Sequence, residues 1–290
     1  MKVLVIYEPG LLGQLLIERL RQTAMEVVPL LLSQPDSLSR ATLEECLDAG
    51  TDMLVNLLTL DDPQLAEQEP AMARHRLLDL PSELARAAAA RDMAMLQLSS
   101  CYVFDGRKQS AYLASNPGQP LGLMGQLLWQ CEQQMRSLLP RHILLRTSWS
   151  LHRFCRLVLS QQNAVEPLNL SSRHRGQPVP VADLARVIGA ILQQIDCGAE
   201  VWGTYQYAGL EETSLYELGL AITQQIESGP VPRLVDEVAA WMDLEPANAT
   251  LNCNKLRNTF GIKPRSWREA LPQELEALTG SVRQTDPVTS

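Results

Sequence analysis

The stretch KVLVIYEPGLLGQLLIERLRQ, residues 2–22, is the part of the sequence that decides the fold class. Its first six residues form a run rich in β-branched side chains, which predicts a buried strand at Lys2–Tyr7. After a turn with Gly10 and Gly13, apolar residues recur at intervals of three and four, as in an amphipathic helix. A strand, a tight turn and a helix in this order indicate the first unit of an α/β sheet.

The same alternation continues along the chain. Further strands are predicted at residues 27–32, 53–58, 93–99, 142–147 and 204–208. Further helices are predicted at residues 42–49, 82–91, 125–139, 182–194, 214–227 and 270–278. Strands that alternate with helices predict a Rossmann-like, doubly wound parallel sheet.

The predicted pattern also suggests two structural units. We expect a Rossmann-type nucleotide-binding domain at residues 1–148, with residues 179–202 packing back on it. Residues 149–178 and 203–290 are expected to form a smaller α/β domain of the substrate-binding type.

Composition narrows the class of protein. The chain has 290 residues, of which 46% are hydrophobic and 20% are charged, so it can bury a substantial core. Its 33 acidic and 25 basic residues give a net charge of -8, which argues against nucleic acid or a membrane surface as a partner. Without a long apolar stretch or a signal-peptide pattern, we expect a soluble, cytoplasmic protein. The six cysteines are scattered singly, so no metal site is predicted.

The glycines of the first turn lie where a dinucleotide-binding loop would be, but two glycines fit any sharp turn. More specific motifs lie downstream. They are SSCYVFDG (99–106), LLRTSW (144–149), GQPVPVADLA (176–185), GTYQYAGLEETSLYELGLAI (203–222), NATLNCNKL (248–256) and GIKPRSWREAL (261–271).

Together these motifs resemble the dTDP-4-dehydrorhamnose reductase family, which belongs to the extended short-chain dehydrogenases/reductases, and they span essentially the whole chain. The resemblance implies NAD(P) binding and reduction of a nucleotide-linked keto sugar. In that family a hydride passes from the nicotinamide to the sugar carbonyl, and a tyrosine supplies the proton. A lysine one helical turn later lowers the pKa of the tyrosine, and a Ser or Thr hydroxyl orients the carbonyl oxygen.

This chain departs from the family motif at the proton donor. In PLGLMGQLLWQCE (120–132), Met124 stands at the tyrosine position and Leu128 at the lysine position. Neither side chain can donate a proton, and losing general acid catalysis costs about 10²- to 10⁴-fold in rate. Ser100 keeps the hydroxyl as a catalytic remnant, while Cys101 replaces the neighbouring aspartate.

The expected cofactor loop is altered as well. Gly10 and Gly13 match family glycines and are the candidate cofactor-binding residues, but Tyr7 and Glu8 stand where the family has glycine and alanine. The Tyr7 ring would enter the pyrophosphate space. A Glu8 carboxylate about 4 Å from a phosphate would be repelled by about 4 kcal/mol at an effective dielectric of 20. We therefore expect no tightly bound cofactor, and only weakened NAD(P) binding.

A second candidate site is the compact basic cluster of Arg173, His174 and Arg175. Arginine-rich loops bind phosphates and carboxylates through charge-assisted hydrogen bonds. This cluster is therefore predicted to contact an anionic nucleotide ligand, a substrate or a protein partner.

Three functions follow from these observations. The leading interpretation is a catalytically degenerate family member that acts as a nucleotide- or sugar-nucleotide-binding or regulatory subunit, with a homodimer left open. The alternative is an active NAD(P)-dependent reductase with a relocated proton donor, for which Tyr102, Tyr112 and Lys108 are the nearest groups in the sequence. A third is a different reaction that involves Cys101.

Overall fold

The computed structural model describes residues 1–33, 47, 50–226 and 230–282. Within these residues the central feature is a six-stranded parallel sheet with the strand order β2-β1-β3-β4-β5-β8. The six strands are β1 (Lys2–Tyr7), β2 (Glu26–Leu31), β3 (Met53–Asn56), β4 (Ala94–Ser100), β5 (His142–Thr147) and β8 (Gly203–Tyr207). The predicted fold class is confirmed. The helix expected at residues 42–49 lies almost wholly outside the described residues.

Helices cover both faces of this sheet. The α-helices of the described residues are α1 (Leu11–Arg21), α2 (Pro63–Gln68), α3 (Pro70–Arg74), α4 (Leu80–Ala90), α5 (Leu123–Leu138), α6 (Leu151–Ser160), α7 (Val181–Asp196), α8 (Leu215–Thr223), α9 (Asn254–Phe260) and α10 (Trp267–Val282). A π-helical segment, His75–Asp79, joins α3 to α4. None of the helices in the described part of the chain is long and apolar enough to cross a membrane.

The hydrophobic core has two layers because strand side chains alternate between the faces of a sheet. Leu4 and Ile6 of β1 are buried on the face covered by α4 and α5. Val3 and Val5 are buried on the other face, which α1 and α7 cover. A strand buried on both faces reads as a continuous apolar run, which is why β1 was visible in the sequence.

Two short strand pairs lie outside the central sheet. β6 (Leu168–Leu170) pairs with β10 (Leu234–Asp236) in parallel. β7 (Arg175–Gly176) pairs with β9 (Thr213–Ser214) in antiparallel fashion.

Part of the expected smaller domain pairs with the central sheet. Residues 203–290 were assigned as a whole to the smaller domain, but β8 pairs with β5 along its length, from Ile143 with Gly203 to Thr147 with Tyr207. Leu256 and Phe260 of α9 are buried in the same core layer as β8. Backbone pairing and burial therefore place β8 and α9 with the central sheet.

Candidate functional site

A cleft of about 330 Å³ opens at the carboxyl ends of β1, β3, β4 and β5. In parallel α/β sheets this edge is the usual place for a ligand. The cleft is lined by the β1–α1 turn, by residues that follow β3, by the end of β4 and by the start of α6. Ser100 and Thr147 are paired neighbours in the sheet, and both border the cleft.

The β1–α1 turn is filled by a side chain of the protein itself. A Cβ added to Gly13 would come within 2.2 Å of the Cδ2 atom of Tyr7, so the tyrosine ring lies directly against this glycine. Gly10, by contrast, has an extended backbone with φ of 164°, and a Cβ there would meet only the Glu8 carbonyl at 4.0 Å. The tight contact in this turn is thus between Gly13 and Tyr7.

Glu8 has a partner that the sequence did not indicate. Its carboxylate lies in the cleft and accepts a hydrogen bond from the guanidinium of Arg76, a residue of the π-helical segment. The Arg76 guanidinium therefore offsets the charge that Glu8 brings to the turn. The two residues are 68 positions apart, so local sequence carries no sign of the pair.

Ser100 borders the cleft, while the adjacent Cys101 does not. The only hydrogen bond described for the Ser100 hydroxyl is a weak one to the Cys101 sulfur at 3.7 Å. Burial raises the pKa of the Cys101 thiol to about 12. The thiol therefore stays protonated at neutral pH, which argues against a Cys101 nucleophile.

Met124 and Leu128 belong to the hydrophobic core. Their exposed fractions are 1% and 3%, and no residue of α5 lines the cleft. Gly125 allows this close packing, since a Cβ there would lie 2.1 Å from the Tyr102 carbonyl oxygen. The helix on which the family resemblance places the proton donor and its lysine thus contributes no side chain to the cleft.

Of the three candidates for a relocated donor, only Tyr102 borders the cleft. Its hydroxyl donates to Glu245 at 2.6 Å and accepts from Arg153 at 2.7 Å. Burial raises the pKa of Tyr102 well above its usual value of 10. Tyr112 donates to Asp105 instead, at 2.8 Å.

Lys108, the third candidate, is also held away from the cleft. Its ammonium group donates to the Asn116 side chain at 3.1 Å and to the Ala111 carbonyl at 3.2 Å.

His152 is a cleft residue that the sequence did not single out. Its Nδ1 atom lies 3.0 Å from Oε1 of the buried Glu274, and the other oxygen of Glu274 accepts from the Val181 amide at 3.1 Å. Glu274 on α10 thus connects the starts of α6 and α7. Residues 152 and 274 are 122 positions apart, so no local motif links them.

The basic cluster is not one surface. Arg173 is exposed, whereas His174 is buried, and burial lowers the pKa of His174 below its usual value. Arg175 pairs with Glu212 at 2.8 Å beside a separate shallow pocket. None of the three basic residues lines the cleft. Across the part of the chain described, no three His, Cys, Asp or Glu side chains are grouped to hold a metal ion.

Curated relatives resemble this chain over nearly its whole length. A dTDP-4-dehydrorhamnose reductase of Sinorhizobium fredii is 28% identical over 280 residues, which cover 92% of this chain and 95% of the relative. The enzyme of the same name from Aggregatibacter actinomycetemcomitans is 28% identical over 284 residues, covering 93% and 97% of the two chains.

Solved structures share the fold. The dTDP-4-dehydrorhamnose reductase of Clostridium acetobutylicum superposes with a TM-score of 0.81 at 20% identity, covering 96% of this chain and all of that one. The Bacillus anthracis reductase, solved in complex with NADP, has the same TM-score at 19% identity, covering 95% and 99%. The family model of the RmlD substrate binding domain matches residues 1–279. The chain therefore belongs to this family, that of the dTDP-4-dehydrorhamnose reductases.

Proposed function

We propose that this chain is a family member that binds a ligand in its cleft without reducing it. It would act in the cytoplasm as a nucleotide- or sugar-nucleotide-binding protein or as a regulatory subunit. The observation that carries the proposal is the burial of Met124 and Leu128 in the core, with no side chain of α5 in the cleft. An anionic nucleotide as ligand, a protein partner and a homodimer stay predictions.

The loss of the family's tyrosine and lysine matters because carbonyl reduction needs a proton as well as a hydride. The alkoxide that forms at the sugar carbon must be protonated, and a positioned acid contributes about 10²- to 10⁴-fold to such a step. Methionine and leucine side chains have no proton to give. Ser100 keeps a hydroxyl at the cleft, but no base among the described residues is hydrogen-bonded to it.

The β1–α1 turn supports the same proposal. NADP and NAD are bound by structural neighbours of this fold, and a glycine-rich turn normally lets the cofactor pyrophosphate approach the backbone. Here the Tyr7 ring fills the space beside Gly13, and the Glu8 carboxylate lies in the cleft. These residues do not fit a dinucleotide in that pose.

The alternative is an active reductase in which Tyr102 supplies the proton, and the position of Tyr102 at the cleft favours it. The hydrogen bonds of the Tyr102 hydroxyl argue against this alternative, because the hydroxyl already donates to Glu245 and accepts from Arg153. Its raised pKa also makes the phenolate costly to form.

Titration calorimetry with a dTDP-linked sugar, followed by an NADPH oxidation assay on the same sample, tests the proposal. We expect heat of binding without cofactor oxidation. Oxidation that depends on the sugar nucleotide would overturn the proposal, and its loss in Tyr102→Phe would establish the alternative.

A further inference from the structure

Arg76 occupies an unusual place in the wall of the cleft. It lies in the π-helical segment His75–Asp79, and its side chain is 16% exposed. Short π-helical insertions in α-helices are often found at functional sites. The helical stretch from α3 to α4 thus presents one arginine to the cleft.

The hydrogen bonding of Arg76 is incomplete. Its Nη2 atom donates to Glu8, while its buried Nε atom has no partner among the residues that the structure describes. Arg146, the fully buried arginine of β5, is a useful comparison because its guanidinium has hydrogen-bond acceptors for Nε, Nη1 and Nη2. It donates through Nε at 2.8 Å and Nη2 at 2.6 Å to the two oxygens of Glu132, and through Nη1 to the Ala114 carbonyl.

Burial without full pairing is unfavourable for a cation. Burial lowers the pKa of Arg76, because the guanidinium has lost water without an equivalent set of acceptors. A phosphate or carboxylate that accepted from Nε and Nη2 together would form the bidentate arrangement that arginine favours. Leu12, Leu57 and Leu98 add apolar surface to the same cleft.

We propose that Arg76 is the anion-binding residue of the cleft and that the Glu8 carboxylate pairs with Arg76 when no ligand is bound. The ligand would be a small molecule with a phosphate or carboxylate group and an apolar part. On binding, its anionic group would replace the Glu8 carboxylate and pair with Nε and Nη2 of Arg76. The inference rests on the proposed function, because it takes the cleft as a ligand-binding site.

Titration calorimetry on the full chain, with pyrophosphate and citrate as probes, tests this exchange. Glu8→Gln keeps the size of the side chain but removes the competing charge, so we expect at least one of the two anions to bind about 10- to 100-fold more tightly. Whichever of the two gains more identifies the phosphate or the carboxylate as the preferred group. Equal affinities for wild type and Glu8→Gln with both probes would overturn the inference.

Two further variants make the result specific. Asp79→Asn removes a carboxylate that pairs with the exposed Arg74 at 3.5 Å near the same helix, so it controls for net charge and should leave binding unchanged. Adding Arg76→Met to Glu8→Gln should abolish the gain, and adding Arg76→Lys should keep part of it. A gain that persists with Arg76→Met would show that the anion binds elsewhere. If that variant does not fold, a full gain with Arg76→Lys counts against bidentate pairing.

Failure of this inference and failure of the proposed function are separate outcomes. Cofactor oxidation by the wild-type protein would contradict the proposed function and leave the anion titration valid. Unchanged anion affinity in Glu8→Gln would contradict the inference and leave a non-reducing protein.

Discussion

The aromatic ring of Tyr7 lies against the α-carbon of Gly13, so close that a Cβ at position 13 would sit 2.2 Å from the Tyr7 Cδ2 atom. In this chain the glycine makes room for a side chain from the preceding strand. The turn after β1 thus keeps two glycines at the spacing of a dinucleotide loop, but the Tyr7 ring fills the space beside Gly13. Glu8, which follows Tyr7, accepts a hydrogen bond from Arg76, and both residues line the cleft.

Replacing these two side chains should reopen the turn. We expect NADP to bind the wild-type protein weakly, and Tyr7→Gly with Glu8→Ala to raise the affinity at least about tenfold, by removing the ring and the carboxylate. Titration calorimetry measures both values. Tyr205→Phe, which changes a tyrosine away from the cleft, is the matched control. Micromolar affinity in the wild type would contradict the account of the turn.

Restoring the family pair on α5 should not restore reduction. Met124→Tyr with Leu128→Lys places a phenol and an amine in the core, where overpacking costs about 1–3 kcal/mol and a buried unpaired charge costs more. We expect a lower urea midpoint and no cofactor oxidation by the folded fraction. Gln126→Lys, at an exposed position of the same helix, controls for the added charge. Measurable turnover in the double variant would point to a substrate site that is still intact.

The sheet could be predicted from sequence because its signal is local. The bounds of β1 and β5 agree with prediction, since each contains an apolar run buried on both faces, at residues 3–6 and 143–145. Helix α6 was missed, although Ser150 caps it through a hydrogen bond from the Arg153 amide. Its apolar residues follow helical spacing, so a signal was present. The short helices at residues 63–74 have too few residues to show periodicity.

The site was less predictable because its contacts join distant parts of the chain. The replacement of the proton donor was visible in the motif at residues 120–132, but the Glu8–Arg76 pair was not. Arg173, His174 and Arg175 are neighbours in sequence, yet Arg173 lies in an exposed turn, whereas His174, just before β7, is buried. A run of like charges in sequence therefore need not form one surface.

Glu132 should be a key residue for stability. It is 1% exposed and accepts hydrogen bonds from Ser99, Arg136 and Arg146. Glu132→Gln leaves the buried Arg146 guanidinium without its counter-charge, so we expect a loss of about 3–5 kcal/mol in the free energy of unfolding. Urea denaturation measures this loss. Glu18→Gln, at an exposed position of α1, should change it by less than about 0.5 kcal/mol. Similar values for the two variants would contradict this role.

Two buried histidines should make stability depend on pH. Burial lowers the pKa of both His142 and His174 below the usual 6.5. At acidic pH the unfolded chain then binds more protons than the folded one. The contribution of the two neutral histidines to the free energy of unfolding is therefore complete above about pH 6.5 and is lost as the pH falls through the folded pKa values. Urea midpoints at pH 7.5 and 5.5 should differ less in His142→Gln with His174→Gln than in the wild type. An identical pH difference in both proteins would refute this expectation.

The most direct test of the central claim, that this cleft does not carry out tyrosine-dependent reduction, is the rate of NADPH and NADH oxidation with dTDP-4-dehydrorhamnose as substrate. With Met124 and Leu128 buried in the core, the alkoxide has no acid from α5 to protonate it, so the rate should equal that without enzyme. Substrate-dependent oxidation at even about 1 s⁻¹, a modest rate for an enzyme, would contradict the account.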